Sequence, residues 1–243
     1  MMPLWRGTRS LVKELIYPRL CMGCGMRGTW LCDGCAASLP RLDRGICFRC
    51  GAPVTPGACQ FCRQLAPTID RARAVYPYHG WAGAAVRSFK YQSEWDRGTD
   101  LGSRMIDPAR SFGGLDAIVP VPLHRSRLDW RGYNQAAILA EGIGASLGVP
   151  VMPLLERVRE TGAQVHLDRE ARLANLDRAF ALSPEWSLKP GSRILLVDDV
   201  RTTSATLNDA ARALQRTGPA AVYALTFALD IPKTTLDAWL AES

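Results

Sequence analysis

Residues 194–207 read ILLVDDVRTTSATL, an apolar run followed by two acids, a hydroxyl-rich turn and the start of a second apolar pattern. The apolar residues 194–197 suit a buried parallel strand. From Leu207 onward, apolar positions recur at the spacing of one helix face until Gly218 and Pro219. The stretch therefore predicts a strand, a loop and a helix, the repeating unit of an α/β fold.

The loop of this unit has the composition of a phosphate site. Backbone N–H groups and the positive end of the helix dipole converge where a strand passes into a helix, and small hydroxyl side chains leave room for a phosphate. Asp198 and Asp199 suit vicinal hydroxyls or a metal ion better than a second anion. Together these features predict a ribose 5-phosphate cradle. Its predicted phosphate loop is Arg201, Thr202, Thr203, Ser204, Ala205 and Thr206.

Other uses of an apolar strand that ends in Asp-Asp fit the chain less well. A Walker B strand needs a G-x-x-x-x-G-K-[ST] loop, which the sequence lacks. A response-regulator receiver needs roughly a hundred residues after such a strand, whereas this sequence ends at Ser243. An aspartate that only caps a helix explains one acid and none of the threonines.

A second strand is followed by a dense group of guanidinium side chains. Residues 116–122 read DAIVPVP, and the loop after them leads to a helix with one apolar face that stops at Gly148. Arginine offers planar paired donors and a permanent charge, which suit a pyrophosphate. The loop therefore predicts a second anion site, formed by Arg125, Arg127 and Arg131.

All eight cysteines lie near the N-terminus, in four C-x-x-C pairs. In a reducing compartment such pairs indicate metal rather than disulfides, and two pairs complete a tetrahedral zinc site. The pairs look duplicated, which predicts two tandem structural zinc sites, each closed within one repeat. The spacing does not exclude an interleaved arrangement, with the first and third pairs sharing a zinc. The predicted ligands are Cys21, Cys24, Cys32, Cys35, Cys47, Cys50, Cys59 and Cys62.

Length and charge divide the chain and limit its partners. The 243 residues suffice for an N-terminal helix and double zinc ribbon at 1–66 and an α/β domain at 67–243. The formal net charge of +7 favours an anionic partner, either a phosphorylated metabolite or a nucleic acid. Because no apolar run is long enough to span a bilayer and residues 1–20 lack a signal-peptide core, we expect a cytoplasmic protein without stable membrane insertion.

Several short blocks follow the order of a known family. They are FKY at 89–91, VPVP at 119–122, RGYNQ at 131–135, the segment from Arg157 to Phe180, the DDVRTT loop and the four cysteine pairs. The Asp-Asp-x-x-Thr-Thr pattern resembles the phosphoribosyl pyrophosphate (PRPP) loop of type I phosphoribosyltransferases, and the whole set resembles the competence-associated ComF family. The sequence departs from the pattern at Ser204, where the family usually has glycine, and serine makes a backbone conformation with positive φ less favourable.

The resemblance implies a type I phosphoribosyltransferase-like domain, largely parallel with flanking helices, after a double zinc ribbon. It implies PRPP bound with Mg²⁺, with Asp198 and Asp199 as catalytic residues at the ribose hydroxyls. It also implies a role in natural competence and DNA uptake, with single-stranded DNA and a competence helicase as further partners. The alternative is a non-catalytic adaptor that binds a nucleotide or single-stranded DNA, since no motif identifies an acceptor. Further predicted substrate contacts are Lys90, Gln164, Arg172 and Asn175, the last three on a loop expected to close over the substrate.

Overall fold

The computed structural model describes residues 18–54, 59–91, 96–159 and 179–242. The strands within these ranges are β1 (Arg71–Pro77), β2 (Ala117–Pro120), β3 (Leu155–Arg157), β4 (Phe180–Leu182), β5 (Arg193–Arg201) and β6 (Ala221–Leu229). Four of them form a parallel sheet in the order β1-β6-β5-β2. The other two, β3 and β4, form a separate antiparallel pair. Strand β1, which contains Pro77, lies at an edge of the sheet, where the missing backbone N–H of a proline is tolerated.

Helices cover both faces of the sheet. They are α1 (Asp33–Ala37), α2 (Gly80–Tyr91), α3 (Asp96–Arg110), α4 (Arg125–Arg131), α5 (Gln135–Leu147), α6 (Ala205–Leu214) and α7 (Lys233–Glu242), with short 3₁₀ helices at Gln60–Gln64 and Gln215–Thr217. Apolar residues of α6 and α7 pack on one face. Those of α2, α3 and α5 pack on the other. The predicted fold class, a largely parallel sheet with flanking helices, is confirmed.

Strand β5 lies in the middle of the sheet and contributes to both cores. Ile194 and Leu196 belong to the core under α6, while Leu195 and Val197 belong to the core under α2, and all four are fully buried. This alternation follows from the two-residue period of a strand. Because both faces are covered, the run is apolar throughout rather than alternating with polar residues.

Two boundaries differ from the prediction. The strand does not stop at the acids but continues to Arg201, because Asp198 and Val200 pair with Thr226 and Ala228 of β6. Backbone pairing with a long parallel neighbour therefore extended the strand beyond its apolar residues.

The predicted arginine loop is also different, because its guanidinium groups lie on the short helix α4. The His124 ring accepts a hydrogen bond from the Ser126 N–H at 3.4 Å at its start. Gly132, with φ of 82°, ends it. Helix α4 therefore spaces Arg125, Arg127 and Arg131 around a helix rather than along an extended loop.

The two cysteine clusters contact opposite faces of the sheet. Leu31 and Leu39, near the first cluster, pack with α2 residues such as Trp81. Cys50 of the second cluster and the nearby Leu42 pack with α6 and α7 residues such as Leu207 and Trp239. The predicted helix before residue 18 lies outside the described residues.

Among the residues that the structure describes, no helix has both the length and the apolar character needed to cross a membrane.

Candidate functional site

The acid pair lies near the C-terminal end of β5, at the sheet edge where ligands bind in open α/β folds. Asp199 is buried, and its Oδ1 is 3.0 Å from the Lys90 Nζ at the end of α2. The Asp199 N–H donates to the Asp198 Oδ1 at 2.8 Å. Strand β5 and helix α2 thus bring together two carboxylates and one ammonium group, including the predicted contact Lys90.

The neighbouring charges and the burial in this group give the two acids different roles. Burial, followed by the charge of Asp199, raises the pKa of Asp198 to about 7, although Lys90, the Asp199 N–H and Arg157 oppose the rise. Burial acts to lower the pKa of Lys90, but the charges of Asp199 and Asp198 outweigh it and raise that pKa. Lys90 therefore stays charged as the partner of Asp199, while Asp198 can exchange a proton near neutral pH.

The predicted phosphate loop follows directly. Thr202 and Thr203 are exposed, whereas Ser204 is buried and starts α6 without a side-chain cap. Ser204 has φ of 62°, and it is the one non-glycine residue with positive φ in the described part of the chain. The first-turn N–H groups of α6, from Ala205 and Thr206, lack acceptors within the helix. The arrangement can therefore offer backbone donors and hydroxyl groups to a phosphate.

Arg201 does not join this loop. Its side chain is 3% exposed, and its Nη2 donates to the Cys50 carbonyl oxygen at 2.5 Å. Burial lowers its pKa to about 10. The prediction that Arg201 faces the phosphate is corrected: its guanidinium group is held at the second cysteine cluster.

The three arginines of the predicted pyrophosphate site are not equally placed. Arg125 is 91% exposed and lies 4.0 Å from Asp129. Arg127 is half-buried. Arg131 Nη1 donates to the Gln135 Oε1 at 2.7 Å, and its charge opposes the raised pKa of Lys90. Arg131 is therefore the member whose charge acts on Lys90, and Arg125 faces solvent.

The residues after Arg131 fix the end of α2 and thereby Lys90. The Tyr133 hydroxyl and the Gln135 Nε2 both donate to the Phe89 carbonyl oxygen, the latter at 3.4 Å. Asn134 begins α5, and its Nδ2 donates to the Val121 carbonyl oxygen at 3.0 Å. These positioning roles were not predicted from the sequence, although the RGYNQ block marked the residues.

Arg157 is a second residue that the site prediction missed. It lies on β3, its guanidinium group is 5.5 Å from the centre of the Phe180 ring, and its charge opposes the rise in the pKa of Asp198. The sequence marked Arg157 as the start of a segment that resembles the family, but gave it no role in the site. The predicted contacts Gln164, Arg172 and Asn175 lie outside the described residues.

The cysteines form two separate groups of four, and the ligand atoms within each group lie within 4.8 Å of one another. The first group is Cys21, Cys24, Cys32 and Cys35, and the second is Cys47, Cys50, Cys59 and Cys62. Each site is thus closed within one repeat, as the tandem interpretation predicted, and the interleaved alternative is wrong.

The geometry of both groups fits zinc. The Cys21–Cys32 sulfur distance is 3.7 Å, and the Cys47–Cys62 and Cys50–Cys59 distances are 3.4 Å. A tetrahedral site with Zn–S bonds of about 2.3 Å has sulfurs about 3.8 Å apart. These distances are far too long for disulfides. Four sulfur ligands leave no open position, so the zinc that fits here would be structural.

Comparisons with known proteins identify clear sequence relatives. Competence protein F of Haemophilus influenzae is 31% identical over 197 residues, which cover 77% of this chain and 85% of that protein. DNA utilization protein YhgH of Escherichia coli K12 is 32% identical over 86% of this chain and 96% of its own length. Competence protein ComFC of Bacillus subtilis is 27% identical over 79% of this chain and 80% of that protein. No family model matches the chain.

Solved structures give more distant likenesses. Adenine phosphoribosyltransferase from Saccharomyces cerevisiae has a TM-score of 0.36 and 13% identity, over 56% of this chain and 68% of that chain. The Bacillus subtilis glutamine PRPP amidotransferase has a TM-score of 0.35 and 16% identity, over 60% of this chain and 26% of that chain. Scores of this size say nothing of a ligand.

Proposed function

The chain belongs to the ComF family of competence proteins, and from that premise we propose that it binds PRPP or ribose 5-phosphate and acts in DNA uptake and transformation. The observation that supports the ligand is the acid pair of β5, which lies directly before a loop of hydroxyl groups and helix N–H donors. Carboxylates beside a phosphate cradle match a sugar phosphate, since one end of the ligand carries hydroxyl groups and the other carries the anion.

Each part of the ligand has a proposed partner. Asp198 and Asp199 accept hydrogen bonds from the ribose hydroxyls. Thr202, Thr203 and the first turn of α6 hold the 5′-phosphate. Arg131 binds the pyrophosphate, and Arg125 and Arg127 on α4 supply further positive charge at its outer side.

Magnesium fits the same site. Mg²⁺ in phosphate sites is held by one or two carboxylates and by the substrate phosphates, and Asp198, which keeps some exposed surface, is such a donor. When bound, it neutralises charge on the pyrophosphate. If the protein is a phosphoribosyltransferase, its own residues contribute by orienting the ribose and by holding the leaving pyrophosphate at Arg131.

Lys90 has a defined part in this proposal. It neutralises Asp199 at 3.0 Å, and it is held at the end of α2 by the bonds that Tyr133 and Gln135 make to the preceding carbonyl. The RGYNQ block thus couples the pyrophosphate helix α4 to the acid pair. A pyrophosphate at Arg131 would lie on the same side as the Lys90 ammonium group.

Calorimetric titration of the zinc-loaded protein with PRPP, with and without Mg²⁺, tests the ligand. We expect saturable binding that is lost in the Asp198→Asn/Asp199→Asn variant. The matched control is Asp43→Asn/Asp107→Asn, which removes the same charge from exposed side chains outside the site. Absent binding by folded wild-type protein, or equal binding by both double variants, would refute the proposal.

Single-stranded DNA binding is a second candidate, and a specific surface favours it. Phe48, in the second cysteine cluster, is 78% exposed. The guanidinium groups of Arg71 and Arg73 lie 5.6 and 5.9 Å from the centre of its ring. Exposed aromatic rings beside arginines stack bases and attract phosphates without sequence preference.

A cavity of about 510 Å³ lies beside this surface. Its charged lining residues are the cations Arg41, Arg71 and Arg73 and the acids Asp43 and Asp107, so one positive charge remains in excess. Fluorescence anisotropy with labelled oligothymidylate would test the surface, with Phe48→Ala as the variant and Trp186→Ala as an exposed aromatic control. We expect salt-sensitive binding weakened only by Phe48→Ala, and equal effects of both changes would refute this role. A competence helicase as protein partner rests on the family alone.

A further inference from the structure

The phosphate loop is fastened to the second cysteine cluster on both sides. Before the loop, Arg201 Nη2 donates to the Cys50 carbonyl oxygen at 2.5 Å. After it, in the first turns of α6, the Asn208 Nδ2 donates to the Gln64 carbonyl oxygen at 2.7 Å, and the Asn208 Oδ1 accepts from the Ala66 N–H at 2.8 Å. Gln64 and Ala66 lie two and four residues after the last ligand of the cluster, Cys62. Residues 202–207 are therefore held at both ends by one small module.

Arg201 lacks a conventional counter-charge. It is 3% exposed, and its Nη1 is buried without a hydrogen-bond partner. Among the residues that the structure describes, no carboxylate forms an ion pair with it. An unpaired buried guanidinium group costs several kcal/mol, so a negative group must compensate for it if the strand end is to stay in place.

The metal-loaded cluster supplies that negative charge. Four thiolates around one divalent zinc leave about two excess negative charges. Cys50 belongs to this set, and its carbonyl oxygen is the group that Arg201 contacts. Without metal the cysteines lose both their fixed geometry and this charge. The end of β5 would then hold a buried cation with no compensation.

We propose that zinc in the second cluster positions the phosphate loop through Arg201, so that metal occupancy of this cluster sets the affinity of the site for its phosphoribosyl ligand. Arg201 is a positioning residue in this scheme and does not touch the ligand. The coupling rests on the proposed function, whereas the mechanical link between cluster and loop does not. The first cluster packs against α2 on the opposite face of the sheet, away from Arg201, and therefore serves as the control.

Thermodynamic linkage allows the coupling to be measured as a change in zinc binding. If zinc raises the affinity for PRPP, PRPP must hold the zinc more tightly by the same factor. Zinc release to a chromogenic chelator measures the effect, and we expect the protein to release two zinc equivalents. PRPP should slow the release of one of them by about tenfold, within the usual range of such couplings. In Arg201→Met the protection disappears and the Kd for PRPP rises by a similar factor, while Arg201→Lys, which keeps the charge, recovers part of both.

Variants of the two clusters provide the matched control. Cys59→Ser weakens the second site and Cys24→Ser the first, by the same chemical change. We expect only Cys59→Ser to speed hydrogen exchange of the amides at 202–207. The amides of Leu139, Ala140 and Ile143, buried in α5, report whether either variant unfolds as a whole.

The outcomes separate this proposal from the proposed function. PRPP binding with ligand-independent release of both zincs would overturn the coupling and leave the binding site intact. Absence of PRPP binding would refute the proposed function, and exchange at 202–207 would then decide the mechanical link alone. If the amides at 202–207 exchange equally fast in wild type and Cys59→Ser while the α5 amides stay protected, the mechanical link between cluster and loop is overturned. If Cys59→Ser unfolds as a whole, the comparison of Arg201→Met with wild type decides instead.

Discussion

Replacing Ser204 by glycine should stabilise the protein. A non-glycine residue in the left-handed region costs about 1–2 kcal/mol, and Ser204 has φ of 62° and ψ of 1°. Glycine removes that cost but adds freedom to the unfolded chain, which takes back about 0.5–1 kcal/mol. Because the Ser204 side chain makes no cap bond to α6, little else is lost. The net gain is about 0.5–1 kcal/mol.

The gain should appear as a higher urea midpoint of the zinc-loaded protein with an unchanged slope. Ser204→Ala separates strain from the hydroxyl, since alanine keeps the left-handed cost and should show no gain. Ser103→Gly is the matched control, because Ser103 is an exposed residue inside α3. Glycine there should cost about 0.5 kcal/mol. If Ser204→Gly were no more stable than Ser204→Ala, the argument from backbone strain would be refuted.

Three other changes follow from the site and the first cysteine cluster. Lys90→Met leaves Asp199 buried without its partner and should cost about 2 kcal/mol in urea unfolding, less than a fully buried pair because Lys90 is partly exposed; no loss would contradict the ion pair. Burial and the charge of Asp199 raise the pKa of Asp198 to about 7 in the folded state, so the folded protein holds an extra proton and stability falls as pH rises from about 4 to about 7. Asp198→Asn should abolish that fall, and an unchanged pH profile of the urea midpoint would count against it. Gly23→Ala places a Cβ 2.5 Å from the Cys35 Sγ and should reduce zinc, measured by atomic emission, from two equivalents to one; full zinc content would show that the knuckle adapts.

The elements with strong periodic patterns could be predicted from the sequence. The apolar run at 194–197, the helix face that begins at Leu207 and the stop at Gly148 all have counterparts in the structure, where Gly148 adopts φ of 67°. These features depend on neighbouring residues along the chain. An apolar run marks a strand buried on both faces, and a glycine marks a helix end, so a short stretch of sequence is enough to predict each of them.

The parts that the sequence did not reveal depend on contacts between distant segments. Arg201 stands beside four hydroxyl or small residues, and only the position of Cys50, 151 residues away, turns its side chain from the phosphate loop. Lys90 has the pattern of a surface lysine until the fold places Asp199 beside it and the Tyr133 hydroxyl on the preceding carbonyl oxygen. Spacing alone carries no information on such pairs.

The second cysteine cluster also has a consequence for folding during synthesis. Its apolar neighbours include Leu236 and Trp239, and the Trp239 Nε1 donates to the Arg44 carbonyl oxygen at 3.1 Å across a separation of 195 residues. The ribosome therefore makes Arg44 195 residues before Trp239. The cysteines must wait, with or without their metal, until Leu236 and Trp239 have emerged before their core closes. During that interval the half-built module exposes apolar surface and reactive thiols, which makes it a substrate for chaperones and for oxidation.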